Sequence, residues 1–340
     1  MQSGACPLRA AGDYAVGGDD VASWRTDLAI ERHEDALGGA KSVPGVRHTE
    51  SQEGGLRISE VVVESLEGAK AVGKPVGRYI TFESRALRRH DREHSAAVGK
   101  RLSGELAELF PEDHGPLGEA LVVGLGNWQA TPDALGPQVV QRLLVTRHLQ
   151  KVVPHDVQRH MRPVAAIAPG VLGLTGIETG EVVRAIVDRV EPRFVIAVDA
   201  LAARDVERIA STIQISDTGI QPGSGVGNHR TALNRETLGV PVIAIGVPTV
   251  VHAVTIARDT VKKLIAELKG EMQFYEILDE LYDKHKEALI AQVLGESVGD
   301  LMVTPKEIDA QIEDLSRLIA GALNTSLQPG IDIGEFGLYS

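Results

Sequence analysis

The stretch that decides the fold is FVIAVD, residues 194–199, in which five apolar residues are followed directly by an aspartate. Three similar runs occur elsewhere in the chain, at residues 121–125 (LVVGL), 164–167 (VAAI) and 240–245 (VPVIAI). Short apolar runs rich in β-branched residues are typical of strands that are buried on both faces of a parallel sheet. The four runs therefore predict the central strands of such a sheet.

Longer amphipathic segments separate these runs. Helices are predicted at about residues 132–150, 176–190 and 249–269. Strands that alternate with helices are typical of a sheet covered by helices on both faces. The predicted fold class is α/β, a three-layer sandwich with a mixed, mostly parallel sheet.

The flanking regions are of different character. Residues 1–24 are rich in Gly, Ala and Asp without periodicity, which predicts a loosely docked arm. Residues 56–63 and 77–82 predict two strands that pair as a hairpin or an edge pair. A helical extension is predicted from about residue 270, and its second helix begins at a capping box with the sequence TPKE, residues 304–307.

Composition excludes several classes of protein. The chain has 340 residues, with 47 acidic and 35 basic side chains and a formal charge of -12, and it has no basic run for gripping a phosphate backbone, so direct nucleic-acid binding is not expected. A single cysteine, Cys6, excludes an internal disulfide. The longest apolar stretch, residues 239–251, is shorter than the roughly 20 residues of a membrane helix, and no secretory signal stands at the start. A cytoplasmic protein without membrane contact is predicted.

Two aspartates occupy the positions where open α/β sheets place their chemistry, beyond the carboxyl ends of the strands. Asp199 follows its apolar run directly. Asp133 follows the first run through a short loop, and Thr131 and Pro132 predict the N-cap and first residue of a helix, which places Asp133 in its first turn. The alternative is structural, with Asp133 satisfying a helix dipole and Asp199 capping a turn.

Two neighbouring carboxyl groups split their titrations, because like charges a few ångström apart are not readily ionised together. One then serves as a base that activates water and the other as an acid. The helix dipole favours ionised Asp133, which tilts the role of base toward it and that of proton donor toward Asp199, while the reverse assignment stays open.

No cofactor is predicted. Residues 124–126 (GLG) follow a strand as in a dinucleotide fingerprint, but the third glycine and the acidic partner are missing, which argues against NAD. Residues 223–227 (GSGVG) offer backbone amides, chiefly around Gly223 and Gly225, that suit an anion or a loop bordering the cleft.

Histidines provide the alternatives for metal binding. His90 and His94 are four residues apart, as zinc ligands on a helix are, but the neighbouring arginines favour a solvated charged face. His229 and His252 fall near the predicted crevice, as a ligand, a base or a structural residue.

Several uncommon strings stand out in the sequence, at residues 25–31 (RTDLAIE), 123–137 (VGLGNWQATPDALGP), 169–179 (PGVLGLTGIET), 197–204 (AVDALAAR) and 213–228 (IQISDTGIQPGSGVGN). Together they resemble one known family, the germination protease of spore-forming bacteria. The resemblance covers about residues 25–261 nearly without gaps. The loop from Gly124 to Asp133 also resembles, more distantly, that of hydrogenase maturation endopeptidases.

The resemblance implies an endopeptidase that starts the degradation of small acid-soluble spore proteins during germination, in the cytoplasm of the forespore and the spore core. It also implies a zymogen that removes its own N-terminal piece, and a homotetramer. The family's two essential aspartates fall on Asp133 and Asp199, as in unusual aspartic peptidases. In the hydrogenase maturation relatives the matching acids bind metal, so metal dependence stays open, although no metal site is predicted.

The resemblance also locates a self-cleavage site. Substrates of the family are cut after the acidic residue of a Thr-Glu-apolar-Ala pattern, and Thr26-Asp27-Leu28-Ala29 matches this with Asp in place of Glu. Cleavage is therefore expected between Asp27 and Leu28. Residues 1–27 would be a propeptide, and residues 28–340 a single peptidase domain.

Recognition of an acidic side chain beside the cut bond calls for a cation, and arginine suits it through its bidentate fork. The candidates are Arg204, Arg230, Arg162 and Arg147. Two alternatives to the aspartate endopeptidase stay open: a metal-dependent maturation-type endopeptidase of the same fold, and a noncatalytic, phosphorylase-like binding protein.

Overall fold

The computed structural model describes residues 26–89, 91–112, 117–222, 230–257, 260, 264 and 301–330. The strands are β1 (Val46–Glu53), β2 (Leu56–Val63), β3 (Gly77–Glu83), β4 (Ala120–Gly124), β5 (Val164–Ile167), β6 (Phe194–Ala203), β7 (Thr212–Ser216), β8 (Val242–His252) and β9 (Met302–Val303). The helices are α1 (Ala29–Leu37), α2 (Leu66–Val72), α3 (Arg92–Leu109), α4 (Leu135–Gln141), α5 (His155–Gln158), α6 (Leu172–Thr175), α7 (Thr179–Val190), α8 (Arg235–Leu238) and α9 (Ile308–Leu327). Residues 253–257 are also helical.

The described strands form one mixed sheet, in the order β1-β2-β3-β7-β8-β6-β4-β5, with β9 paired to β8. Strands β8, β6, β4 and β5 are parallel, whereas β1, β2, β3 and β7 add an antiparallel half. The hairpin predicted from β2 and β3 is confirmed. Strand β1 was not predicted from the sequence. Seven of its eight residues are exposed, and apolar and polar residues do not alternate along it.

Helices cover both faces of the sheet, which confirms the three-layer α/β sandwich. Along β4, Ala120 and Val122 belong to one apolar core, whereas Leu121 and Val123 belong to a second core on the opposite face. The first core is completed by α3, α4 and α9, and the second by α7 and α8. The alternation is the period of two expected for a strand that is buried on both sides.

The C-terminal helix α9 is part of the core and not an appendage. Its residues Leu315, Ile319 and Leu323 are buried, and the helix packs against α3 and α4. The Asn324 side chain fixes its end, accepting a hydrogen bond from the Leu144 amide at 2.8 Å. Residues 265–300, where the first C-terminal helix is predicted, lie outside the described residues.

Two predicted helix starts are wrong. The predicted capping box does not form, because Thr304 Oγ1 donates instead to the Thr249 carbonyl at 2.8 Å, and α9 begins only at Ile308. The helix predicted from residue 249 begins after His252, because the valines of this segment continue β8 alongside the end of β6. Pairing with a neighbouring strand has overridden the local helical pattern.

Candidate active site

The candidate site forms where β4 ends and β6 continues. Gly124, the last residue of β4, pairs with Val198, whereas β6 runs on to Ala203. Asp199 is thus the first residue of β6 beyond the end of β4. The prediction that Asp199 follows its strand is wrong, but the residue does lie at the carboxyl end of the neighbouring strand.

Glycines allow the loop after β4 to approach β6 closely. The Leu125 amide donates to the Val198 carbonyl at 2.8 Å. Gly126 has a φ of +113°, which L side chains rarely adopt, and a Cβ there would overlap the Asp133 carbonyl oxygen. A Cβ at Gly136 would overlap the Leu125 backbone. The loop is therefore held tightly against the sheet, with Asp133 at its end.

Asp133 lies in a 3-10 turn, Thr131–Asp133, that precedes α4. The prediction that Thr131 caps a helix with Asp133 in its first turn is wrong, since no side-chain cap forms there and α4 starts at Leu135. The carboxylate is held instead by the Asn127 amide, which donates to Asp133 Oδ2 at 2.9 Å. The dipole of α4 is therefore not the reason for its ionisation state.

The structure brings Asp133 and Asp199 to one cavity. Its volume is about 270 Å³, and Asp27 and Arg230 also line it. The other lining residues are Leu125, Gly126, Pro132, Val171, Thr179, Ala200, Leu201, Ala202, Pro222, Thr249, Val250 and Met302. Acidic groups from three distant parts of the chain, with one arginine, therefore share a concave site.

The two aspartates differ in their titration. Burial raises the pKa of Asp199 well above its usual range, and the nearby charges of Asp133 and Asp27 raise it further. Burial also raises the pKa of Asp133, to about 6, against the opposing effects of the Asn127 amide and Arg230. Asp199 therefore holds its proton more readily than Asp133, and the pair favours an ionised Asp133 beside a protonated Asp199.

Because the pKa of Asp199 is raised on folding, this residue is expected to make the stability of the fold depend on pH. The folded chain binds the Asp199 proton more tightly than the unfolded chain, so the stability that this proton supplies is lost as pH rises through the folded pKa. Asp199→Asn removes this ionisation and keeps an acceptor for the Ala200 amide, which donates to Asp199 Oδ1 at 2.9 Å. We expect the variant to raise the unfolding temperature at alkaline pH, with a gain that disappears below about pH 4. Calorimetry across pH checks this, and a gain independent of pH would contradict it.

The segment that carries the predicted self-cleavage site is docked at the same place. The Asp27 amide donates to the Ala202 carbonyl at 3.0 Å, and the Ala202 amide donates to Asp27 Oδ2 at 2.9 Å. Ala202 lies on β6 four residues beyond the last one that pairs with β4. Leu28 and Ala29 are fully buried. The segment therefore occupies the edge of β6 that β4 leaves open.

Of the four candidate arginines, the structure places one at the cavity. Arg230 lines it and lowers the pKa of both aspartates. Arg204 pairs with Glu34 and Asp35 of α1 instead and is not among the lining residues. Arg147 pairs with Glu119, and the Arg162 guanidinium carbon lies 5.3 Å from the centre of the Phe194 ring. The suggestions for Arg204, Arg147 and Arg162 are thus not supported by their positions.

The other candidate residues lie elsewhere. Gly223, Gly225, His229 and His90 are outside the described residues. His252 is near the end of β8 and is not among the lining residues. His94 Nε2 lies 2.6 Å from Ser84 Oγ, next to the end of β3, and is not among the lining residues.

In the part of the chain that the structure describes, no three His, Cys, Asp or Glu side chains are grouped as metal ligands. Every helix there is too short or too polar to cross a bilayer.

Sequence reasoning missed three polar residues around the docked segment. Lys74 and Gln214 contact the Asp27 carbonyl oxygen, and Glu31 is completely buried beneath the segment. Glu31 falls in the string 25–31 that carries the family resemblance, but its burial has no signal in the pattern of the residues. Lys74 and Gln214 come from elements far away in the sequence, so only the fold reveals them.

Comparison with known proteins identifies the family of the chain. The family model described as germination protease matches residues 24–275 and 265–340. The germination protease of Caldanaerobacter subterraneus subsp. tengcongensis is 49% identical, over 92% of this chain and 96% of the relative. That of Clostridium perfringens is 47% identical, over 92% and 98%.

Among solved structures, the chain resembles a [NiFe] hydrogenase maturation protease HycI from Thermococcus kodakarensis KOD1. It has 18% identity and a TM-score of 0.33, covering 64% of this chain and 98% of that one, which is too low a similarity to carry a conclusion. The sequence relatives do carry one, because each is matched over nearly its whole length. The chain belongs to the germination protease family and is a peptidase of spore germination.

Proposed function

We propose that Asp133 and Asp199 together hydrolyse peptide bonds, with Asp133 as the base and Asp199 as the acid. The observation that carries the proposal is that both carboxyl groups line one cavity, where burial raises the pKa of Asp199 well above its usual range and that of Asp133 to about 6. Two carboxyl groups whose environments separate their pKa values are suited to opposite roles in proton transfer.

The reaction begins with a water molecule that gives a proton to Asp133 while its oxygen attacks the scissile carbonyl carbon. The carbonyl oxygen takes up the electron pair of the broken π bond. Asp199 then protonates the leaving nitrogen as the carbon–nitrogen bond breaks. One proton transferred from Asp133 to Asp199 restores the starting state.

The same pair is proposed to cut the chain itself between Asp27 and Leu28. This is supported by the position of Asp27, which lines the same cavity and whose charge helps to raise the pKa of Asp199. Residues 1–27 then act as a propeptide whose last residue, Asp27, fills the peptide-binding edge of β6 until the propeptide is removed.

The proposed substrates are small acid-soluble spore proteins, which would lie along β6 as Asp27 does. Strand addition at an open sheet edge supplies backbone hydrogen bonds that are independent of sequence. The Ala202 amide and Arg230 would favour an acidic side chain before the cut. A homotetramer in the spore core remains part of the proposal.

The proposal predicts a bell-shaped pH profile for self-cleavage. The rate is expected to rise with pH through about 6, as Asp133 ionises, and to fall at higher pH as Asp199 loses its proton. The full-length chain is incubated over a range of pH with and without a chelator, and the rate at which residues 1–27 are lost is followed by intact mass. The chelator is expected to have no effect.

Other outcomes identify the alternatives. Loss of cleavage on chelation, restored by added metal, would indicate a metal-dependent peptidase, and cleavage at no pH would indicate a binding protein. Digestion of a small acid-soluble spore protein by the processed chain, with the products mapped by mass, tests the substrate. Cuts that do not follow acidic residues would contradict the proposed specificity.

A further inference from the structure

Two side chains converge on the carbonyl oxygen of Asp27. Lys74, in the loop between α2 and β3, donates from Nζ at 2.7 Å. Gln214 on β7 donates from Nε2 at 3.4 Å. Lysine and glutamine therefore reach one backbone oxygen from two different elements.

This oxygen belongs to the bond that is proposed to be cut. When water adds to the Asp27 carbonyl carbon, the oxygen becomes negatively charged, and donors already aimed at it stabilise that charge without reorganising. Resting on the proposed self-cleavage, we propose that Lys74 is a catalytic residue that stabilises this oxyanion, with Gln214 as the second donor.

Gln214 also fixes the position of the bond. Its Oε1 accepts a hydrogen bond from the Ala29 amide at 2.7 Å, while its Nε2 reaches the Asp27 oxygen. One side chain thus holds the backbone on both sides of the Asp27–Leu28 bond. Such a clamp restricts the motion of the carbonyl and keeps it directed at Lys74.

The surroundings of Lys74 strengthen its effect on a developing negative charge. Burial lowers the pKa of Lys74, Arg32 on α1 lowers it further, and Asp27 opposes this effect. A poorly solvated ammonium interacts more strongly with an anion than one in bulk water does. The charge that appears on the oxygen during attack therefore meets a partner that water screens weakly.

The complete step conserves atoms and protons. The water oxygen bonds to the Asp27 carbon, one water proton moves to Asp133, and the carbonyl electron pair moves to the oxygen beside Lys74. Re-formation of the carbonyl breaks the bond to the Leu28 nitrogen, which receives the proton of Asp199. Lys74 keeps its proton throughout, since it acts by charge and hydrogen bonding.

Single-turnover self-cleavage of the full-length chain tests the proposal. Lys74→Met removes the charge at similar length, and the rate is expected to fall by about 10²–10³-fold, as for loss of one oxyanion donor elsewhere. Lys70→Met is the matched control, because Lys70 is an exposed lysine of the same helix–loop segment, and it is expected to cleave at the wild-type rate. Lys74→Arg, which keeps a charged donor, is expected to recover part of the loss.

A second measurement separates oxyanion stabilisation from simple anchoring. Hydrogen exchange of the Ala29 amide is compared between Asp133→Asn and the double variant Asp133→Asn/Lys74→Met, both of which stay uncut in the proposed mechanism. Unchanged protection, together with the slow cleavage of Lys74→Met, supports the proposal. Lost protection would mean that Lys74 only holds the segment, and would overturn it.

Different experimental outcomes would contradict the role of Lys74 and the proposed self-cleavage. If Lys74→Met cuts itself within about threefold of the wild-type rate, the role of Lys74 is wrong and the aspartate mechanism stands. If the wild-type chain never cuts between Asp27 and Leu28, the proposed self-cleavage is wrong and the role of Lys74 falls with it.

Discussion

Asp133→Asn is expected to leave the full-length chain uncut, with the rate of self-cleavage lowered by about 10⁴-fold. The amide side chain accepts no proton from water at any pH in the working range, so the attacking water stays a poor nucleophile. Asp133 is the member of the pair with the lower pKa, about 6, and is therefore the one available as a base near neutral pH. Intact mass at the optimal pH of the wild-type chain measures the effect.

The fold should survive this change. Asn keeps an oxygen that accepts the hydrogen bond from the Asn127 amide, and it avoids a buried charge. Asp188→Asn is the control, because Asp188 lies on the exposed surface of α7 and pairs only with Arg184 among the described residues. The control should process normally. Self-cleavage of Asp133→Asn at a rate near wild type would remove Asp133 from the mechanism.

The meeting of the two aspartates was predictable from the sequence, because it follows from a general property of parallel sheets. Residues at the carboxyl ends of neighbouring strands reach the same edge wherever they lie in the chain. The apolar runs before Asp133 and Asp199 identify the strands, and β4 and β6 are indeed adjacent. The prediction that the two aspartates share a cavity therefore required no knowledge of side-chain packing.

The ends of the elements were less predictable. Asp199 is inside β6 because the strand continues alongside β8 as far as Ala203, well past the apolar run that signals it. The sequence of residues 200–203 is mainly alanine, which favours no strand by itself. Pairing between distant segments determines where β6 ends, and the local strand propensity of these residues does not indicate it.

The basic residues around Asp27 were also only partly predictable from the sequence. Arginine was expected there because its fork suits a carboxylate, and of the candidates that the sequence offered, Arg230 lines the cavity, whereas Arg204, close to Asp199, does not. In the structure, Arg204 pairs with acidic residues of α1. Lys74, from the antiparallel half of the sheet, donates a hydrogen bond to the Asp27 carbonyl oxygen. Nothing local to Lys74 marks it, because its partner lies 47 residues away.

Glu31→Leu is expected to lower the free energy of unfolding by about 3–5 kcal/mol, the range for breaking a buried ion pair from one side. Glu31 is completely buried. It accepts hydrogen bonds from the Arg204 amide at 2.7 Å and the Asp205 amide at 2.9 Å, and one from the Thr26 hydroxyl. Its carboxylate also pairs with Arg208 at 3.2 Å. Leucine fills the space but leaves these donors without an acceptor.

Urea unfolding of the full-length chain in the Asp133→Asn background measures this loss without interference from cleavage. Asp35→Asn is the control, because Asp35 lies on the same helix and pairs with Arg204, but its side chain is 43% exposed. Its effect is expected to be below about 1 kcal/mol, as for other surface ion pairs. An equal effect of the two substitutions would contradict the distinction between buried and exposed carboxylates. A larger loss for Glu31→Leu would mean that the buried Glu31 side chain stabilises the folded chain. The same side chain accepts a hydrogen bond from Thr26 of the proposed cleavage segment.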